Sequence, residues 1–119
     1  MATLTTHTLN SVDGIHAGGI PVSLFRIEAD GTRTELFKSA TDEGGRLSQQ
    51  VSLGSSAPDT SYEMVLETGH YFEARGQRDA SLPICSDVVF RFMMPDPDAA
   101  YHIPMMLAPN SYSLWWSSL

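Results

Sequence analysis

Turn-forming residues recur at short intervals along this chain and divide it into short runs. Clusters rich in Gly, Asp, Ser and Pro fall at Asp13-Gly14, Gly18-Gly19, 29–31, 42–45, 54–59 and 95–98. Between these clusters the apolar residues alternate with polar ones or are β-branched, as they are on half-buried strands. Short strands at this spacing predict an all-β sandwich or barrel rather than a parallel sheet with crossover helices.

Four runs carry the strand pattern most clearly. They are the threonine-rich run 3–9 and the runs 20–27, 62–68 and 87–93, in which apolar side chains share one face. Only the stretch 69–78 has helix-forming content, and Gly76 is placed to end that helix. A helix this short is not stable alone, so we expect it to pack at the edge of the sandwich.

The size and charge of the chain limit the classes of protein to which it can belong. Its 119 residues suit a single domain spanning 1–119. A formal net charge of −7 argues against nucleic acid or an anionic membrane as a partner. No apolar run approaches the roughly 20 residues of a membrane-spanning helix. The single cysteine cannot form an internal disulfide, which favours a reduced compartment and predicts a cytoplasmic protein.

The segment 101–107 is an unusual strand candidate. It is apolar but contains Pro104, which cannot donate a hydrogen bond to a neighbouring strand and so predicts an edge strand. An apolar edge without charged residues invites pairing with another chain, and we expect this segment to lie in an oligomer interface. The alternative is an ordinary core strand that closes the sandwich. Alternation would place His102 on the same face as Pro104 and Met106.

No catalytic or metal-binding motif surrounds the four histidines. Neither a His-Glu-x-x-His spacing nor a cysteine pair marks a metal site, and no Gly-x-Ser-x-Gly element marks a serine nucleophile. His16 and His70 lie beside turns and are interpreted as surface or packing residues. His7 and His102 differ from them because each lies inside a predicted strand.

Arg46 follows the turn at 42–45 and begins the next strand. Spacing alone favours a solvated guanidinium that forms an ion pair with Asp42 or Glu43. Periodicity cannot bring Arg46 together with His7 and His102, since only a fold can do that.

Several segments, in the same order along the chain, resemble the transthyretin-related proteins of the 5-hydroxyisourate hydrolase type. Segment 41–47 resembles the family's Thr-Asp-x-x-Gly-Arg element, and segment 101–109 resembles its His-(Val/Ile)-Pro-Leu-Leu-Leu-Ser-Pro strand. The other matching segments are 4–10, with the opening histidine, 62–72, which leads into the helix, and 82–84.

The resemblance implies a sandwich of two four-stranded sheets with one short helix. It also implies a homotetramer built as a dimer of dimers, with sites in a channel where the dimers meet. The family's polar trio corresponds to His7, Arg46 and His102. In those enzymes this trio hydrolyses the ring of 5-hydroxyisourate, a small-molecule substrate, without a metal or an organic cofactor. A neighbouring guanidinium disfavours an imidazolium, so Arg46 would keep a histidine in its basic form and would also bind an anionic ligand.

The C-terminal tail departs from the family, whose hydrolases end in Tyr-Arg-Gly-Ser. Here Trp116 stands where arginine is expected, Ser117 stands where glycine is expected, and Ser118 retains the serine. We interpret Trp116 and Ser118 as substrate-binding residues. An indole has one donor and cannot replace the bidentate guanidinium.

The altered tail leaves three functions open. The first is hydrolysis of 5-hydroxyisourate or a close relative, with a reshaped wall to the site. The second is a diverged enzyme that cyclises or opens a more apolar ring in specialised metabolism. The third is a carrier of small aromatic ligands without catalytic activity, for which the trio would have no use.

Overall fold

The computed structural model describes residues 1–79, 81 and 83–117. Within these residues the chain forms nine strands and one helix. In chain order they are β1 (Ala2–Asn10), β2 (Ile15–His16), β3 (Pro21–Ile27), β4 (Arg33–Ala40), β5 (Arg46–Val51), β6 (Ser61–Leu66), α1 (Gly69–Ala74), β7 (Val88–Met93), β8 (Ala100–Ala108) and β9 (Ser111–Leu114). No helix among the described residues is long and apolar enough to span a membrane.

The strands form two sheets that face each other. The first sheet contains β1, β2, β5, β8 and β9, and the second contains β3, β4, β6 and β7. The second sheet has four strands in the order β4-β3-β6-β7, and all its pairs are antiparallel. In the first sheet, β1 lies between β8, to which it is parallel, and an edge shared by β5 and the two-residue β2. Strand β9 pairs with the other side of β8. The predicted sandwich is confirmed, with β2 as a fifth, short strand in the first sheet.

Alternating apolar side chains build the core between the two sheets. In β6 the side chains of Tyr62, Met64 and Leu66 are almost completely buried, as their alternation predicts. Strand β7 shows the same pattern, because Val88 is buried while Val89 is exposed. Each buried aliphatic side chain of this size contributes about 1.5–3 kcal/mol by leaving water. The outward faces of the sheets are therefore left for polar residues and for chemistry.

The helix α1 is shorter than the predicted stretch 69–78. Gly76 adopts a φ of 67°, which the right-handed helix cannot continue through. The amide of Gln77 donates to the Phe72 carbonyl at 2.9 Å and so closes the last turn. The buried ring of Phe72 holds the helix against the core. Gly76 thus ends the helix as predicted, and α1 stops at Ala74, about one turn before the end of the predicted stretch 69–78.

The prediction that segment 101–107 is an edge strand is wrong. Strand β8 lies inside the first sheet, between β1 and β9, so it is the core strand of the alternative interpretation. The carbonyl of Pro104 accepts a hydrogen bond from Trp115 at 3.3 Å, but proline has no N–H to return one. The sheet tolerates this loss because β9 ends at Leu114, just before that position. The core-facing side chains of β8 are buried within the protomer itself.

Candidate active site

The outer face of the first sheet brings His7, Arg46 and His102 together. In the antiparallel pair of β1 and β5, His7 lies directly opposite Arg46. In the parallel pair of β1 and β8, Thr5 lies opposite His102. Since residues two apart on a strand share a face, His7 and Thr5 point to the same side of β1. The two ladders therefore place both imidazoles and the guanidinium on one face.

The turn before β5 aims Arg46 at this face. The Asp42 carboxylate accepts hydrogen bonds from the backbone amides of Gly44 and Arg46, each at 2.9 Å. The amide of Gly45 donates to the Asp42 carbonyl at 2.9 Å and closes the turn. The Asp42 carboxylate thus accepts hydrogen bonds from the backbone of its own turn and fixes the point at which β5 begins.

The predicted ion pair between Arg46 and Asp42 or Glu43 is not formed. Among the ion pairs of residues 1–79, 81 and 83–117, none involves the Arg46 guanidinium. Its side chain is exposed, on the same face of the sheet as His7. An exposed guanidinium can bind a carboxylate or a carbonyl group through two parallel N–H donors.

A cleft of about 310 Å³ opens between β5 and β8 on this face. It is lined by Thr5, Thr6, Asp42, Arg46, Leu47, Ser48 and His102. Thus Arg46 and His102 border the same space, and His7 flanks it as the cross-strand neighbour of Arg46. The volume suits a small, polar, ring-shaped ligand.

One nitrogen of His102 is already engaged within the protein. Its Nδ1 lies 2.7 Å from the Thr5 hydroxyl oxygen. The backbone of His102 forms a two-way bridge with Ser117, with hydrogen bonds of 3.3 and 2.9 Å. Thr5 thus holds the ring from β1, Ser117 holds the backbone from the other side of β8, and Nε2 is the ring nitrogen that can meet a ligand.

His7 is hydrogen-bonded through Nε2, whereas His102 is hydrogen-bonded through Nδ1. Its Nε2 lies 3.1 Å from the Gly44 carbonyl oxygen and 2.9 Å from Nδ1 of His16. Partial burial, and then the positive charge of Arg46, lower the pKa of His7 below its ordinary value of 6.5. His16 and, more weakly, His102 lower this pKa further, while the hydrogen bond to Gly44 opposes the shift. His7 is therefore a neutral imidazole at neutral pH.

The interpretation of His16 as a surface or packing residue misses its contact with His7. The signal was the Asp13-Gly14 turn, which folds the chain into a hairpin that pairs Leu9 with His16. Leu9 and His7 are two residues apart on β1, so a hairpin with this register brings the two imidazoles to one face. The other such residue, His70, is exposed on α1, as expected.

Of the two predicted tail residues, the structure describes only Trp116, which does not line this cleft. Trp116 lines a separate apolar cleft of about 310 Å³, toward the second sheet, formed with Phe90, Phe92, Met93, Pro95, Tyr101 and Ile103. Ser118 lies outside the described residues. Within the described part of the chain, no group of three or more His, Cys, Asp or Glu side chains could hold a metal ion.

Comparison with known proteins agrees with the fold. Residues 4–116 match the model of the HIUase/Transthyretin family, where HIUase denotes 5-hydroxyisourate hydrolase. A 5-hydroxyisourate hydrolase of Pseudomonas aeruginosa is 35% identical over 119 residues, which cover 99% of this chain and 93% of that protein.

Two solved structures are similar over nearly the whole chain. The 5-hydroxyisourate hydrolase of Klebsiella pneumoniae is 28% identical with a TM-score of 0.73, and 99% of this chain covers 100% of that one. An (S)-allantoin synthase is 27% identical with a TM-score of 0.82, and 98% of this chain covers only 44% of that longer chain. The match over residues 4–116 and the full-length likeness to hydrolases show that the chain belongs to the HIUase/Transthyretin family, as a hydrolase.

Proposed function

We propose that this protein hydrolyses 5-hydroxyisourate, or a close relative, in the cleft between β5 and β8. The observation that carries the proposal is that the Arg46 guanidinium, which forms no ion pair with any described residue, lies beside His7, whose pKa is lowered, and borders the same cleft as the His102 ring. A cation flanked by two imidazoles suits an anionic or carbonyl-rich ring. The 5-hydroxyisourate hydrolases that the chain resembles over its full length act on such a ring.

The chemistry follows from the ring nitrogens that remain free. Neutral His7 takes a proton from water, and the resulting hydroxide attacks a ring carbonyl carbon. Arg46 binds the carbonyl oxygen and stabilises the negative charge that develops on it. The ring C–N bond then breaks, and Nε2 of His102 supplies a proton to the leaving nitrogen. These steps need no group beyond water and the three side chains.

The sites would lie between subunits of a homotetramer built as a dimer of dimers. Among the described residues, β7 and β9 pair on one side only, and Val89, Met93 and Tyr112 on these strands are exposed apolar residues. Such edges favour pairing with another copy of the chain. We place this enzyme, a single domain of residues 1–119, in purine catabolism in the cytoplasm.

The other two functions have less support. The case for a more apolar substrate rests on Trp116, whose side chain lines the other cleft. A passive carrier gives no reason to place an arginine, without an ion-pair partner in the described part of the chain, beside a histidine of lowered pKa. The substrate-binding roles of Trp116 and Ser118 stay predictions.

The direct test is the decay of freshly generated 5-hydroxyisourate, followed by its ultraviolet absorbance. We expect the purified protein to accelerate this decay in proportion to its concentration, with no added metal and with chelator present. The variant His70→Ala is the matched control, because it removes an exposed histidine on α1 and should keep full activity. Unchanged decay with a folded protein would contradict the proposal and would favour the diverged enzyme.

The pH dependence gives a second test through Arg46. Because the positive charge of Arg46 lowers the pKa of His7, Arg46→Gln is expected to raise this pKa toward 6.5. The acid limb of the pH profile of kcat/KM reports the base of the free enzyme, so it should move to higher pH. Arg46→Lys retains the positive charge and should leave the limb in place, although kcat/KM falls with the loss of bidentate binding. Identical limbs in the two variants would contradict a base whose pKa is lowered by the charge of Arg46.

A further inference from the structure

His16 lies outside the cleft and has no role in the steps described so far. It stands on β2, at the end of the hairpin that Asp13-Gly14 closes, and its side chain is exposed. The His7 and His16 ring centroids are 5.0 Å apart, with the ring planes tilted by 31°. The two imidazoles therefore meet edge to edge, through Nε2 of His7 and Nδ1 of His16.

The contacts of His7 Nε2 determine where the protons are. This nitrogen has two neighbours, the Gly44 carbonyl oxygen at 3.1 Å and His16 Nδ1 at 2.9 Å. A carbonyl oxygen can only accept, so Nε2 of His7 must carry a hydrogen. That hydrogen is shared with His16 Nδ1, which is then unprotonated and accepts. The opposite assignment, in which His16 donates to His7, would set the Nε2 lone pair against the carbonyl oxygen.

The Gly44 carbonyl is itself held in place. The amide of Gly44 donates to the Asp42 carboxylate at 2.9 Å, within the turn that also orients Arg46. The second acceptor, His16, comes from a different element, the β1–β2 hairpin. Two acceptors on separate elements fix both the plane of the His7 ring and the nitrogen that bears its proton.

We propose that His16 is a positioning residue for His7, which holds the proton on Nε2 and leaves Nδ1 as the basic nitrogen. This inference rests on the proposed function, in which His7 activates water. The charged or titratable groups that face His7 are Arg46, His16 and His102. His16 in turn borders a groove with Asp42, Glu43 and Arg75.

The hydrogen bond itself can be observed without substrate. In ¹⁵N-labelled protein at a pH where His7 is neutral, NMR should show His7 protonated on Nε2, with a coupling across the hydrogen bond to Nδ1 of His16. The coupling should disappear in His16→Ala and stay in His70→Ala. A wild-type spectrum with Nε2 of His7 unprotonated would overturn the inference.

The kinetic test uses His16→Ala and His16→Gln with 5-hydroxyisourate. Losing one hydrogen bond of this kind should lower kcat by about threefold to tenfold in His16→Ala, with KM little changed. Glutamine offers a carbonyl oxygen as acceptor, so His16→Gln should recover part of the loss. An active wild type with unchanged kcat in His16→Ala refutes only the role of His16. A wild type that does not turn over 5-hydroxyisourate refutes the proposed function, and the NMR spectrum still decides the hydrogen bond.

Discussion

Replacing His102 with alanine is expected to lower kcat/KM for 5-hydroxyisourate by about 10²–10⁴-fold, the usual contribution of a positioned proton donor. His102 borders the cleft together with Arg46, and its Nε2 is the nitrogen left free by the hydrogen bond to Thr5. In the proposed mechanism it protonates the leaving nitrogen. Without this proton the tetrahedral intermediate returns to substrate more often than its C–N bond breaks. The measurement is the initial rate of 5-hydroxyisourate decay over a range of substrate concentrations.

Folding should survive this substitution. The His102 side chain is half-buried on the outer face of the sheet, and only its backbone takes part in the bridge to Ser117. The thermal midpoint of His102→Ala should therefore be close to that of the control His70→Ala. If a folded His102→Ala protein keeps its activity within a few-fold of the wild type, His102 has no part in proton transfer.

The sequence predicts the layers of this fold better than the order of its strands. Alternation in β6 and β7 correctly assigns which side chains face the core, because a period of two depends only on the local backbone. Pro104 shows that local rules do not predict the position of a strand in its sheet. A missing N–H argues for an edge strand, yet β8 is central, because the neighbouring β9 ends where the donor would be needed. Strand order is decided by tertiary pairing, which local rules do not contain.

For the site, too, the sequence predicts which residues belong together but not the contacts that each of them makes. The resemblance to hydrolases named His7, Arg46 and His102, and the two ladders of β1 place them on one face. Spacing wrongly pairs Arg46 with Asp42, because it cannot show that Oδ1 of Asp42 accepts hydrogen bonds from the backbone amides of Gly44 and Arg46 within the turn. His16 was missed for a related reason. A histidine beside a turn looks solvated until the register of the hairpin is known.

Gly45→Ala is expected to lower the free energy of unfolding by about 2–5 kcal/mol, the combined cost of a left-handed backbone and a forced backbone shift. Gly45 has a φ of 76°, where an L side chain is strained. A Cβ atom there would also collide with the Thr8 carbonyl oxygen on β1. The adjacent hydrogen bond, from the Thr8 amide to the Gly45 carbonyl at 2.7 Å, leaves the two backbones no room to separate. Urea denaturation of the variant and the wild type measures this loss.

Gly31→Ala separates the two costs. Gly31 has a φ of 86°, but a Cβ atom there would meet nothing within 4 Å. This control should lose only the backbone term, about 1–2 kcal/mol. Any further loss in Gly45→Ala then measures the close approach of the 42–45 turn to β1, and this approach sets the distance between Arg46 and His7. Equal losses in the two variants would mean that the turn can move away from β1. In that case the register that joins His7 to Arg46 would not be fixed by Gly45.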